Sequence, residues 1–207
     1  MPTSTDPTFR KKAALLASLR DQERLAVREA ALKSTWFMAT LVLWPDVAKK
    51  HYHEPAHKPE QDWLDAIPQG GKRAIRIHRE GRKTMMNVAR CVRLVCDNPN
   101  IRIMLVSSYQ RTAIDMCGLI KRQFVQNASF RYYFPEFAID DLKWGKQDEF
   151  THPRRTMVSL LDPTLLATYL GAPLISRRCD VWIGDDPVDE DMVANPDIAQ
   201  TTMDKFI

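Results

Sequence analysis

The stretch "AIRIHREGRKTMM" (residues 74–86) decides how the chain folds. Apolar residues alternate through "RAIRIH" (73–78), which predicts a strand. Gly81 follows, then Lys83 and Thr84, then a run in which Met86, Ala89, Val92, Leu94 and Val95 recur at helical spacing over residues 83–97. Strand, short loop and helix start form the layout of a phosphate-binding loop, where free backbone N–H groups and the positive end of the helix dipole meet an anion. Lys83 supplies a point charge for the β- and γ-phosphates, and Thr84 a hydroxyl for Mg²⁺. Gly81 provides the one bend at which the backbone closely approaches phosphate. The glycine pattern G-x-x-x-x-G-K-[ST] is not met, because Ile77 and Arg82 stand where its glycines belong. The alternative is an ordinary first helical turn carrying a solvated lysine.

Downstream, "IRIMLVSS" (101–108) predicts a second strand and "RTAIDMCGLIKRQFVQN" (111–127) a second helix. This alternation argues for an α/β domain with a parallel sheet. Residues 128–172 carry a weaker pattern, with one or two strands in "EFTHPRRTMVSLL" (149–161) interrupted by Pro153. "CDVWIGDDPV" (179–188) predicts a buried strand ending in two acids, and "ANPDIAQTTMDKFI" (194–207) begins a helix. A buried strand closing on a carboxylate is what the second half of a nucleoside-triphosphate site needs, in the crevice at the carboxyl ends of parallel strands. Asp185 is placed there to hold Mg²⁺ through water, and Asp186 to polarise an attacking water. The alternative is a strand followed by an Asx-type turn helped by Pro187. Arg79 and Arg82 stand four residues and one residue before Lys83, where either could neutralise charge on a transferring phosphoryl group. For Arg82 a plain surface charge is an equal alternative.

Upstream, residues 8–34 predict one amphipathic, heavily charged helix, and 36–50 an apolar helix or a pair of turns. Pro45, Pro55, Pro59 and Pro68 predict a loop-rich region holding one short helix at 61–67. The chain thus divides into an N-terminal helical arm (1–50) and an α/β core (51–207). His51, His53 and His57 lie beside Glu54, but Pro55 and Pro59 are expected to break any helix that would gather them around a metal. Trp144, Tyr132 and Tyr133 are either base-stacking groups or satellite core. The pairs Arg154/Arg155 and Arg177/Arg178 are expected to flank the site, either on DNA phosphates or solvated.

The 207 residues are 44% apolar and 27% charged, a globular composition. The net charge of +4 permits a polyanion partner without requiring one. The four cysteines form no C-x-x-C pair and suit a reducing compartment as buried apolar groups. "MPTSTDPTFRKK" has no signal-peptide core, and the longest apolar run, "WFMATLVLW" (36–44), is far below the ~20 residues that span a bilayer. A cytoplasmic protein without a membrane segment is expected.

The order of these elements resembles the large terminase subunit of tailed bacteriophages, from about residue 50 onward. The resemblance rests on "HKPEQDWL" (57–64) ahead of the first strand and on the R-x-x-x-K-[ST] loop "REGRKT" (79–84), which in that family commonly lacks the standard glycines. It continues through "NPNIRIMLVSS", the helix ending "FVQNASFRYYFPEF", Trp144, the acidic strand "CDVWIGDDPV" and a following "NP". It implies an additional-strand P-loop ATPase fold with a mainly parallel sheet flanked by helices. By this resemblance Arg79 neutralises or senses the γ-phosphate, Gly81, Arg82, Lys83 and Thr84 line the nucleotide, Thr84 and Asp185 hold Mg²⁺, and Asp186 activates water. It implies ATP as the cofactor, and as partners double-stranded DNA, a portal protein, a small terminase subunit and further copies in a ring, in the host cytoplasm. Two features depart from the family: many relatives carry Glu where Asp186 stands, and "LGAPLISRRCD" keeps only Gly171 of a Gly-rich, His-containing stretch. The family continues with a coupling motif and a nuclease domain, and residues 1–207 stop before both, so a fragment, a split gene or a truncated relic is expected. The rival readings are a helicase-like nucleic-acid translocase, and a degenerate ATPase fold that only binds DNA or the portal.

Overall fold

The computed structural model describes residues 7–51, 54–68, 71–73, 82–141, 143–169, 172 and 177–187, with backbone alone for 7–15, 51 and 54–56. The expected strand 73–78, apart from Arg73, and the expected helix 194–207 lie outside the described residues.

Four strands form one sheet: β1 (Ile103–Ser107), β2 (Glu149–Phe150), β3 (Leu165–Tyr169) and β4 (Val181–Asp185). Their spatial order is β2-β3-β1-β4, with β1 parallel to both β3 and β4 and β2 antiparallel to β3. In register, Ser107 of β1 lies between Tyr169 of β3 and Asp185 of β4, so all three stand at the carboxyl edge of the parallel strands. The architecture is α/β with a mostly parallel sheet, as the alternating pattern predicts.

The period of two sorts the strand residues. Ile103, Leu105, Leu165, Ala167 and Ile183 join the main core, where the helices α5 (Lys83–Asp97) and α6 (Gln110–Gln126) pack. Met104, Val106 and Leu166 form a smaller cluster with Cys179 on the other face. α6 lies against β1 and β3, and α5 against β4 and α6. Asp185 has the parity of Ile183, which turns it inward, beneath α5.

The N-terminal helices are α1 (Pro7–Lys33), α2 (Thr35–Phe37), a π-helical turn (Met38–Leu43), α3 (Pro45–His51) and α4 (Glu54–Asp65). Ala31, Trp36, Met38, Ala39, Val42 and Leu43 belong to the same core as the sheet. Arg28 of α1 donates to the carbonyl of Tyr133 and pairs with Glu136 at 2.5 Å, fastening α1 to α7 (Ala128–Tyr133) and the 3₁₀ turn Pro135–Phe137. Among the described residues no helix is long and apolar enough to cross a membrane.

Three expectations are corrected. The proline-rich region is helical: α4 runs through Pro59, which only deprives the carbonyl of residue 55 of its donor. The polar face of α4 is anchored instead by Asp62 and Asp65, which accept hydrogen bonds from Ser34 and Thr35. In 149–161 only Glu149–Phe150 is strand, and the main strand of that region is Leu165–Tyr169. Its apolar run "LLATY" satisfies a buried strand and a buried helix equally, so periodicity does not single it out. β4 is buried only at Ile183 and Asp185, while Trp182 is 47% exposed. The Trp182 ring lies over Gly184, where an added Cβ would come within 2.7 Å of it.

Trp144 is core rather than a base-stacking platform. Its ring centroid lies 4.6 Å from that of Phe150 and 6.1 Å from that of Phe124, and its Nε1–H donates to the Thr151 carbonyl. Beside it the buried His152 accepts the Arg154 N–H at Nδ1, and its Nε2 faces the Phe137 carbonyl at 3.2 Å. That places the proton on Nε2 of a neutral ring. Tyr132 is exposed and packs edge-on against Tyr133.

Candidate functional site

The site begins with the first two residues of α5. Arg82 precedes them in the left-handed region, with φ 52°, and its carbonyl accepts the Met86 N–H that closes the first turn. No side chain caps this end and no acid stands in the first turn. The leading N–H groups of α5 therefore lack intrahelical acceptors, and the positive end of its dipole is unopposed by a first-turn carboxylate.

Asp185 is the last residue of β4 and is 3% exposed. Both of its oxygens are engaged by α5: the Thr84 hydroxyl donates to Oδ2 at 2.8 Å, and the Asn87 amide donates to Oδ1 at 2.9 Å. Asp185 makes no ion pair among the described residues, so a buried carboxylate is held there by two neutral donors. An unpaired buried charge is costly, and such a site favours a cation.

Asp186 follows with φ 47°, and its carbonyl accepts the Ser108 N–H at 3.1 Å, tying the ends of β1 and β4 together. The left-handed turn sends the Asp186 side chain, 73% exposed, to the Lys83 ammonium, with which it pairs. Lys83, Thr84, Asp185 and Asp186 thus meet at one place, at the carboxyl edge of the sheet. Arg82 adjoins them in the chain. Arg79 and Gly81 lie outside the described residues.

The donor set fits a hard divalent cation. The Thr84 hydroxyl gives its proton to Asp185 and keeps its lone pairs for a metal, beside two carboxylates. Among the described residues no three His, Cys, Asp or Glu side chains gather around one point. A closed protein cage is therefore not what the described residues offer, whereas Mg²⁺ is commonly held by one or two carboxylates together with phosphate oxygens and waters.

Behind Asp185 runs a buried polar chain that sequence reading misses. Arg90 Nη1 lies 3.5 Å from Asn87 Oδ1, and Arg90 Nη2 donates to Gln61 Oε1 at 2.9 Å. Asp65, with a side chain 8% exposed, pairs with Arg90 at 3.5 Å and Arg93 at 2.9 Å and accepts the Thr35 N–H and hydroxyl. Burial lowers the Arg90 pKa, opposed by the Asp65 charge. The available signal was spacing: Asn87 and Arg90 are three apart on α5 and Gln61 and Asp65 four apart on α4, so each pair shares one side of its helix.

Two other expectations do not belong here. Arg155 donates to the carbonyls of Asp162 and Ile101, and Arg177 lies 3.7 Å from Asp162. Ile101 stands just before β1, so these arginines stabilise the amino edge of the sheet, about 13 Å from the site at strand rise. They are loop ties rather than flanking groups. Residue 53 and the side chain of His51 lie outside the described residues. Burial pushes the Cys91 and Cys117 thiols up to about 12, which keeps both protonated at neutral pH and unsuited to nucleophilic work.

No protein-family model, curated protein or solved structure matches the chain.

Proposed function

We propose that this chain is a P-loop-type ATPase core that hydrolyses the β–γ bond of Mg²⁺-ATP, working as the motor part of a terminase-like DNA-packaging machine. The observation that carries the chemistry is the meeting of Lys83 and Thr84 at the start of α5 with Asp185 and Asp186 at the end of β4. Double-stranded DNA, a portal protein, a small terminase subunit and a ring of copies enter through the sequence resemblance alone, as does a place at the procapsid in the host cytoplasm.

In this reading the triphosphate lies across the N-terminus of α5, and its charge meets the free N–H groups and Lys83. Lys83 exchanges Asp186 for phosphate oxygens. An exposed ion pair is worth only ~0–1 kcal/mol, so the exchange costs little. Thr84 and Asp185 would hold Mg²⁺, which when bound neutralises charge on the β- and γ-phosphates. Asp186, released from Lys83, orients a water and takes its proton as the water oxygen attacks the γ-phosphorus. The electrons of the breaking bond leave on the ADP oxygen. Arg79 is proposed to neutralise the transferring group. Most of the acceleration then comes from placed charge and orientation.

The test is Mg²⁺-dependent release of inorganic phosphate from ATP by the purified chain. Release that Lys83→Ala and Asp186→Asn each abolish supports the reading. Tight ATP binding without release would favour the non-catalytic ATPase fold. A chain that neither binds nor cleaves ATP would refute the site.

A further inference from the structure

We infer that Asn87 is a positioning residue for the metal-binding carboxylate, fixing Asp185 so that its Oδ2 side stays available to the cation beside Thr84. The inference rests on the reading of the site as a Mg²⁺-nucleotide site. A carboxylate held at one oxygen rotates about its Cβ–Cγ bond. Asp185 is held at both, by Thr84 at Oδ2 and Asn87 at Oδ1, and its plane is set.

The orientation of Asn87 is set in turn by chemistry. A carboxylate only accepts and a guanidinium only donates. Asn87 satisfies Asp185 and Arg90 together only with its NH₂ toward Asp185 and its oxygen toward Arg90. Arg90 is held from the far side by Gln61 and Asp65 of α4. Asn87, Arg90, Gln61 and Asp185 are 7%, 9%, 2% and 3% exposed, so water does not substitute for these contacts. The neutral amide also matters. Arg90 in place of Asn87 would neutralise Asp185, whereas an amide supplies the hydrogen bond and leaves the full negative charge for a divalent ion.

The experiment uses the full chain, the fluorescent nucleotide mant-ATP and a Mg²⁺ titration, reading anisotropy. In wild type, binding rises with Mg²⁺. Asn87→Leu keeps the branching at Cγ in a somewhat larger side chain and removes both the donor to Asp185 and the acceptor for Arg90. It is expected to raise the Mg²⁺ midpoint about tenfold or more, the usual effect of losing an outer-shell partner, while mant-ATP affinity in EDTA stays within about twofold. Asn87→Ser, whose smaller side chain leaves room for a bridging water, is the second variant should Asn87→Leu lose cooperative unfolding, and a shift in the same direction is expected. A folded variant with the wild-type Mg²⁺ midpoint overturns the inference and leaves the nucleotide site standing. Loss of folding in both variants also overturns it, because Asn87 is then a structural residue. Wild type without Mg²⁺-dependent binding overturns the nucleotide site and the inference together.

Discussion

Lys83 and Asp186, 103 residues apart in sequence, form an ion pair at the carboxyl edge of the sheet. In the proposed cycle the pair is a place-holder: the ammonium rests on the carboxylate that later works on water. Asp186→Asn removes one acceptor charge and frees Lys83. ATP affinity is expected to rise by up to about fivefold, since an exposed pair restrains Lys83 by no more than ~1 kcal/mol. Phosphate release is expected to fall by about a hundredfold or more, the usual loss on removing a general base. Stopped-flow binding and phosphate release measure the two, and a fall in both would assign Asp186 to binding instead.

Lys83→Ala is expected to leave folding intact. Among the described residues its only ion pair is with a largely exposed carboxylate, so the urea midpoint is expected to shift by less than ~1 kcal/mol equivalent. A larger loss would make Lys83 a structural residue.

Asp65 is the opposite case. Its carboxylate joins Arg90, Arg93 and Thr35 between α2, α4 and α5. Asp65→Ala leaves two guanidinium groups without their buried counter-charge, which is expected to cost ~3–5 kcal/mol in urea unfolding. A change below ~1 kcal/mol would show that water enters and screens the cluster.

His152 gives the fold a pH dependence. Burial lowers its pKa from 6.5 to about 4, with the Arg154 charge adding to the shift, while the hydrogen bond to Phe137 opposes it. Between these values the unfolded chain binds a proton that the folded chain does not. Stability is therefore full above pH 6.5, falls as pH drops through the window and levels off below about 4, a loss of order 3 kcal/mol. His152→Phe keeps the aromatic packing and is expected to remove this slope, measured as the difference between the two unfolding curves at pH 4 and pH 7. Equal slopes would mean that His152 is not the titrating group.

The alternation of strand and helix was legible because α5 and α6 each carry a clear helical period and β1 is a continuous apolar run bounded by "NPN" (98–100) and "SS" (107–108). Lys83, Thr84, Asp185 and Asp186 were legible as residue types at strand and helix ends, and the packing of α5 against β4 brings them together. β3 was not legible, because "LLATY" carries no period of its own and lies in a stretch without the sharp turn signals that bound β1. α4 was not legible because its prolines argue against a helix, whereas the hydrogen bonds that Asp62 and Asp65 accept from Ser34 and Thr35 at the start of α2 are tertiary contacts. Asn87 and Arg90 escaped notice because a polar residue on a helix is ordinarily a solvated one, and only tertiary packing shows that these two are buried.

The most direct measurement is calorimetric titration of ATP into the wild-type chain and into Thr84→Ala, each with Mg²⁺ and with EDTA. The account predicts that wild type binds one ATP per chain far more tightly with Mg²⁺, and that Thr84→Ala loses most of this difference while keeping its affinity in EDTA. Equal Mg²⁺ enhancement in the two proteins would contradict it, because the Thr84–Asp185 contact would then have no part in holding the metal.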